Sequence, residues 1–380
     1  MTPPDEPIPV HSAAIALACS WCWVIGMVFP AFMIADFGWP GWVVFVVPNA
    51  IGAASVGFLL RSRRITEDFV RTHRMAIRLF TLATLAFHAY VLVCLLPAIG
   101  WLEGWWKPVG VVLALSVACA LWARQSVGGF VRAGVVVMFA SLLCVVLGGL
   151  TTGGQTFAAP SIDGDFPFPT VMLALAGTTL GFLTCPFLDA TFLRVRAELD
   201  TPARARGAFA GAFSGPFLIL VGMTAFYAKG LLGDGVISHY VLLHIVVQSL
   251  YTCAFHVRAS RGARTSGAPR FDSPWLALAV GVVLALVIPW VGGFRLGYEL
   301  MLSLYALPFP AYVWIVCVWA KRPDRRAMTV WAIAVVLAAP LFALGYLGQR
   351  WALVPLGVAL VVGAPVLLRL VPSGVRSPAG

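Results

Sequence analysis

The feature that most constrains this chain is a series of twelve long apolar segments separated by short segments rich in arginine. Each segment has about the length that a helix needs to cross the hydrocarbon of a bilayer. Helices are predicted because lipid cannot satisfy the free backbone groups of open structures, and because the period-two alternation of a barrel is absent. The predicted spans are 12–36, 40–60, 76–98, 107–123, 130–150, 169–193, 208–229, 237–257, 273–293, 296–320, 327–346 and 350–370.

Composition supports this interpretation. Of the 380 residues, 61% are hydrophobic and 11% are charged, whereas soluble proteins are about 45–50% apolar and about 25% charged. These values exclude a soluble enzyme, a disordered chain and a secreted disulfide scaffold. The predicted fold class is therefore an all-α polytopic membrane protein with 12 transmembrane helices, and the lipid bilayer is its first expected partner.

The distribution of basic residues predicts the orientation in the membrane. Of the 26 lysines and arginines, 22 fall on one predicted side, and the other side holds only Lys107, Lys229, Arg295 and Arg350. Because basic loops stay in the cytoplasm, both termini are predicted to be cytoplasmic, and we expect a multi-pass protein of the bacterial inner (plasma) membrane. The net charge of +11 thus reflects topology, and no nucleic-acid partner is expected.

Two of the predicted spans carry the same interruption. Span 1 has Gly26 followed by Pro30, and span 6 has Gly181 followed by Pro186. Proline removes a helix donor and clashes with the preceding turn, and glycine lets the chain unwind. Interrupted helices at corresponding positions of two halves indicate the midplane site of a transporter. We therefore predict unwound segments at these two places.

The interruptions divide the chain into two halves of five spans each. Because five is odd, the second half must run inverted relative to the first. The predicted organisation is a cytoplasmic tail over 1–11, a first inverted repeat over 12–150 (spans 1–5), a second inverted repeat over 169–320 (spans 6–10), two C-terminal spans over 327–370, and a cytoplasmic tail over 371–380.

This 5+5 arrangement with two extra helices resembles the leucine-transporter-like fold of the amino acid–polyamine–organocation superfamily. The closest similarity is to the sodium:solute symporters, through Pro186, Asp189, the basic segment from Arg194 to Arg206 and the small residues that follow it. The resemblance implies secondary active transport, with the solute held between the two interrupted helices.

The resemblance also implies a coupling ion. In that fold a sodium site combines backbone carbonyls of the first helix with hydroxyls of the eighth, and the nearest matches here are Ser249 and Thr252. Cys253 stands where a further hydroxyl is expected, and a thiol is a poor ligand for sodium. Sodium and a proton both stay open as coupling ions, and no other cofactor is expected.

The candidate substrate-binding residues are aromatic and polar side chains near the middle of the spans. Aromatic side chains commonly line ligand cavities, and ionisable groups inside a membrane are costly and are therefore functional candidates. A histidine there either carries a proton or, as a neutral ring, donates an interhelical hydrogen bond. The candidates are Trp21, Trp23, Gly26, His88, Thr178, Gly181, Phe182, His244 and Gln248.

Two acidic residues at span ends have alternative predicted partners. Asp36 could form an outer gate with Arg295, although Arg295 is also spaced to pair with Glu299 one turn along its own helix. Asp189 is expected to pair with an arginine of the following cytoplasmic segment, or to take part in an inner gate.

The sequence thus predicts a secondary active transporter, a symporter-like permease, for a small polar or amphipathic solute. No catalytic residue is predicted, because no soluble-enzyme motif occurs. The alternatives are a major-facilitator-type transporter, a membrane-embedded lipid-modifying enzyme and a transporter-like sensor that does not transport. An enzyme would need His88, His244 and a carboxylate to meet at one interface.

Overall fold

A computed structural model describes residues 7–98, 107–122, 125–154, 164–232, 237–261 and 273–370. These residues form helices joined by short connections and contain no strand. In chain order the helices are α1 (Val10–Trp21), α2 (Val24–Leu59), α3 (Arg63–Ala98), α4 (Lys107–Trp122), α5 (Val127–Thr151), α6 (Phe168–Thr184), a 3-10 turn (Cys185–Leu188), α7 (Ala190–Glu198), α8 (Pro202–Ser214), α9 (Pro216–Leu232), α10 (His239–Arg261), α11 (Pro274–Val287), α12 (Pro289–Ala306), α13 (Pro308–Tyr312) with a π-helical continuation (Val313–Ala320), α14 (Arg325–Tyr346), and α15 (Leu353–Gly363) with a 3-10 continuation (Ala364–Arg369).

The outer surface of the bundle is apolar. Large hydrophobic side chains such as Leu121, Val136, Phe139 and Leu150 are more than half exposed, as expected for a surface that faces lipid. By length and composition, eight helical segments within the described ranges are able to cross a membrane, and four shorter apolar helices overlap the predicted spans 1, 4, 9 and 12. The count of twelve crossings stays a prediction.

The helices pack in two groups. In the first group, α2 packs against α6, α8 and α9, and α1 packs against α8. In the second group, α10 packs against α4 and α5, and α3 packs against α11. The short helix α7 contacts α3 and α10 of the second group, although it continues α6 of the first. Hence α7 joins the two groups, and α1 joins them too because it packs against α5 and α10.

Local backbone geometry explains two bends. Gly38 has a φ of 64° inside α2 and separates span 1 from span 2, a conformation that glycine adopts at no steric cost. Pro40 leaves the carbonyl of Asp36 without its helical donor, and the Phe166 amide donates to that carbonyl at 2.8 Å. In α3 the helical path bends at His73, so the residues before it form a separate short helical segment.

Candidate functional site

The first span is broken, although not where the sequence predicted. Helix α1 ends at Trp21 and α2 begins at Val24, and Trp23 between them is extended with a ψ of −176°. The predicted unwinding at Gly26 and Pro30 is wrong, because both residues lie inside α2. The break starts four residues earlier.

A hydroxyl group from another helix explains why Pro30 does not interrupt helix α2. Proline at position 30 cannot donate to the carbonyl of Gly26, one turn before it. The hydroxyl of Thr224 in α9 donates to that carbonyl instead, at 3.1 Å, and the Tyr227 hydroxyl donates to the neighbouring Met27 carbonyl at 3.2 Å. The freed backbone acceptor is therefore satisfied and the helix continues.

The sixth span is broken at Pro186, as predicted. Helix α6 ends at Thr184, the 3-10 turn follows, and Asp189 is extended before α7 begins. Gly181 itself stays helical. Its role is close packing, since a Cβ there would lie 3.0 Å from the carbonyl oxygen of Tyr305 in α12.

The two breaks flank a small closed space at the centre of the bundle. Its volume is about 10 Å³, close to the lower limit for one water molecule. Hydrogen bonds fix the two indole rings that line it. The Trp21 indole donates to Asn49 Oδ1 at 2.5 Å, and the Trp23 indole donates to the Ser20 carbonyl at 2.6 Å. The space is lined by Trp21, Trp23, Ile25, Gly26, Asn49, Phe182, Cys185 and Tyr305.

A larger cavity of about 290 Å³ lies beside this centre, between α2, α6, α12 and α14. Thr178 and Gly181 line it, and the Thr178 hydroxyl donates to the Leu175 carbonyl of its own helix at 3.0 Å. Phe182 and Tyr305 line both this cavity and the central space. These two aromatic rings therefore form a partition between the two.

An ion-pair network lies at the wall of the larger cavity. Arg295 donates to Asp36 Oδ2 at 2.5 Å and to Glu299 Oε1 at 2.7 Å, so the two alternatives from the sequence occur together. The guanidinium also lies 5.0 Å from the centre of the Phe32 ring, within the range of a cation–π contact. The network ties α2 to α12.

Helix α10 buries a stripe of polar side chains at a spacing of four residues. His244, Gln248, Thr252 and His256 are all fully buried. Gln248 donates to Ser141 Oγ of α5 at 3.0 Å. In the described part of the chain, the hydroxyls of Thr252 and of its neighbour Ser249 have no hydrogen-bond partner.

Three of the nine candidate residues line neither of these two cavities. His88 is held by a 2.8 Å contact between its Nδ1 and the Thr84 carbonyl, and its ring lies 6.4 Å from that of Trp23. His244 packs 6.1 Å from the Tyr227 ring, and Gln248 bonds as described above. Within the described ranges, no group of three or more His, Cys, Asp or Glu side chains is placed to hold a metal ion.

Asp189 does not pair with the arginines that follow it, contrary to the expectation from the sequence. Arg194 pairs with Glu198 at 2.9 Å. The carboxylate of Asp189 faces His256 instead, with 3.4 Å between Oδ2 and Nε2, and both side chains are fully buried. His256 was missed by the sequence argument. The signal that could have found it is the repeat of polar residues every four positions, from His244 through Gln248 and Thr252 to His256.

The architecture defines a class: a helical membrane protein with two interrupted helices at its centre. No family model matches the chain, and no curated protein matches it. Among solved structures, the chain is similar to the inward-facing conformation of Mhp1 (15% identity, 97% of this chain and 94% of that chain covered, TM-score 0.53). It is also similar to a Na⁺-coupled sialic acid symporter in its substrate-bound outward-open state (11% identity, 96% and 90% covered, TM-score 0.52). The chain therefore has a leucine-transporter-like fold, as predicted, and is an all-α polytopic membrane protein.

Proposed function

We propose that this protein is a secondary active transporter for a small polar or amphipathic solute, which binds between the two helix breaks. The observation that carries the proposal is the pair of breaks around a closed centre, with a 290 Å³ cavity on one side of it. Phe182 and Tyr305 stand between that cavity and the centre. Movement of this partition would join the two spaces and admit a solute.

The lining of the centre favours a solute without net charge. The residues around it offer aromatic faces, the Asn49 amide and the Tyr305 hydroxyl, and none of them is charged. Aromatic walls with a few hydrogen-bonding groups are typical of sites for small organic molecules. One of the two similar solved structures is a Na⁺-coupled sialic acid symporter. Sialic acid carries a carboxylate, so it enters the test panel as the charged comparison, and we expect neutral solutes to be taken up better.

The competing functions fit less well. A major-facilitator transporter would have a different fold. A lipid-modifying enzyme would need its histidines and a carboxylate at an accessible surface, but the Asp189–His256 contact is fully buried and lines neither cavity described above. We therefore propose transport and not catalysis. A sensor that does not transport would share the binding site and differ only in the outcome of an uptake assay.

The arginine clusters support a proposal for the location and orientation of the protein. We propose that the protein lies in the bacterial inner membrane with both termini in the cytoplasm. A green fluorescent protein fused to the C-terminus should then be fluorescent, and alkaline phosphatase fused after Lys229 should be active. Inactive phosphatase at that position would contradict the proposed orientation.

Uptake of labelled solutes into proteoliposomes tests the function. The panel contains neutral amino acids, nucleobases, sugars and sialic acid. At Gly26, a Cβ would make only ordinary contacts, the nearest 3.5 Å from Cys22 Sγ, so Gly26→Leu should fold and place its larger side chain beside the centre. We expect uptake to fall at least about tenfold, because the site is filled.

The matched control is Gly222→Leu in α9, where an added Cβ meets nothing within 4 Å. Its uptake should equal that of the parent. Normal uptake in Gly26→Leu would remove the central site assignment. Absence of uptake for every solute and gradient would favour the sensor.

A further inference from the structure

The contact between Asp189 and His256 lies where the break in span 6 meets helix α10. His256 Nε2 is 3.4 Å from Asp189 Oδ2, and neither side chain has exposed surface. An ionised carboxylate that is buried without a positively charged partner has an unfavourable desolvation free energy. The protonation state of the imidazole therefore decides how stable this contact is.

Asp189 is fixed in place by its other oxygen. Oδ1 accepts from the backbone amides of Thr191 at 2.7 Å and Phe192 at 3.0 Å, and from the Thr191 hydroxyl at 2.5 Å. This is the N-cap of α7, and a helix N-terminus stabilises a negative charge. Oδ2 receives no hydrogen bond from the residues that the structure describes, and it lies 3.4 Å from His256 Nε2. Oδ2 is thus the oxygen of this carboxyl group that is placed to accept a hydrogen bond from the imidazole.

His256 connects α7 to two other helices. It belongs to α10, and its Nδ1 lies 3.5 Å from the Thr81 hydroxyl of α3. Its ring packs edge-on to Trp23 at 5.7 Å, the residue that is extended in the break of span 1. One imidazole therefore contacts the group formed by α3 and α10 and the broken segments of both interrupted helices.

The other ionisable groups facing the pair come from neighbouring elements. His88 of α3 and Tyr305 of α12 both pack near the Trp23 ring, which also contacts His256, and Cys185 begins the 3-10 turn that ends just before Asp189. Arg78 of α3, one turn from Thr81, is a further charged group on this helix, and it also has an interaction partner. His88 already directs Nδ1 at a backbone carbonyl, which leaves His256 as the imidazole in contact with a carboxylate.

We propose that Asp189 and His256 form a proton-binding site, and that its proton is the coupling ion of the transport cycle. A proton from water adds to the imidazole, whose Nε2–H then donates to Asp189 Oδ2. The ion pair clamps α7 to α10. Loss of the same proton to water on the other side leaves the carboxylate without a cation and releases α7. The transport cycle rests on the proposed function, whereas proton binding is measurable without it.

Hydrogen exchange of the full-length protein in nanodiscs tests the site without a solute. Protection factors of the α7 amides, corrected for the intrinsic pH dependence of exchange, are compared at about pH 5.5 and about pH 8.5, on either side of the usual histidine range. We expect protection to fall about tenfold or more at the higher pH, within the usual range of a coupling between two sites. Equal protection at both values would overturn the proposal.

Two variants assign the effect to the pair. His256→Gln removes the titrating group, and Asp189→Asn keeps a good N-cap while removing the charge. Both should show protection independent of pH. The control is His73→Gln, a buried histidine of α3 whose partner is the Tyr312 hydroxyl, which should keep the response of the parent. A pH response that survives in both His256→Gln and Asp189→Asn would overturn the assignment.

Coupling is tested with the solute that the uptake panel identifies. An inward proton gradient should drive uptake in the parent, and His256→Gln should abolish that dependence. Uptake driven by sodium alone, and unchanged in His256→Gln, would overturn proton coupling while leaving the transporter proposal intact. A pH response of α7 without uptake of any solute would support the proton site and contradict the proposed transport.

Discussion

Gly52 is the position where α2 and α6 meet through their backbones. A Cβ at this residue would lie 2.0 Å from the Phe182 carbonyl oxygen and 2.6 Å from Leu183 Cα. No real Cβ tolerates such distances, and the atoms in the way are backbone atoms that cannot rotate aside. The contact also fixes Phe182, half of the partition between the two cavities.

Gly52→Ala should therefore destabilise the protein, by about 1–3 kcal/mol on the scale of overpacked cores. Thermal unfolding in detergent, followed by tryptophan fluorescence, measures the loss. Gly222→Ala is the control, because its added methyl meets no atom within 4 Å and alanine favours the helix. If the two variants unfold at the same temperature, the close approach of α2 and α6 at Gly52 is incorrect.

Arg196 links the ends of two helices. Its Nε donates to the carbonyl of Leu60 at 2.5 Å and its Nη1 donates to the carbonyl of Leu199 at 3.0 Å. These residues follow the last residues of α2 and α7, where carbonyls lack helical donors and cations are favoured. One fully buried guanidinium thus caps two helices and holds α7 from its C-terminal end.

Arg196→Met should leave both carbonyls unsatisfied, at about 1–3 kcal/mol each. Arg196→Lys should recover part of the loss, because an ammonium lacks the fork that reaches two acceptors. Unfolding temperatures in detergent again provide the measurement. Arg194→Met is the matched control: its partly exposed pair with Glu198 is expected to contribute less than about 1 kcal/mol. Equal losses at positions 194 and 196 would refute the capping role.

Helix positions were predictable from the sequence because each depends on a local property. Long apolar segments between arginine clusters favour helix by their own composition, although spans 7 and 10 are each divided, at Gly215 and at Leu307. Pro186 interrupts its own helix, which is also a local effect, and the sequence therefore predicted the break in span 6 correctly. The break in span 1 was misplaced because the outcome at Pro30 is decided by Thr224, which is 198 residues away from the carbonyl it satisfies.

Part of the candidate site was also predictable from the sequence, namely the residues next to the helix breaks. Trp21, Trp23, Gly26 and Phe182 line the centre, since they flank the interruptions along the chain. The partner of Asp189 was not found, because the choice between Arg194 and His256 depends on how α7 turns after the break. Only the repeat of polar residues every four positions along α10, which ends at His256, carried that information.

At the scale of the whole bundle, we expect the network of Asp36, Arg295 and Glu299 to limit access to the 290 Å³ cavity, because all three residues line it. The network joins α2, from the group with the broken first span, to α12. Asp36 is nearly buried, and the Arg295 side chain is partly exposed. A charge-assisted pair at such a site contributes more than a fully exposed one. Breaking it should shift the population toward a more open cavity.

Asp36→Asn in a Thr178→Cys background tests this expectation, since Thr178 lines the cavity. The described cysteines are buried or half-buried, so labelling by a charged maleimide should report mainly the new thiol. Loss of about 1–2 kcal/mol from the closed state corresponds to labelling about five to thirty times faster. Glu67→Gln removes an exposed pair with Arg63 outside the cavity and should not change the rate. Equal rates in Asp36→Asn and its parent would mean that aromatic packing, and not the ion pair, keeps this end of the bundle closed.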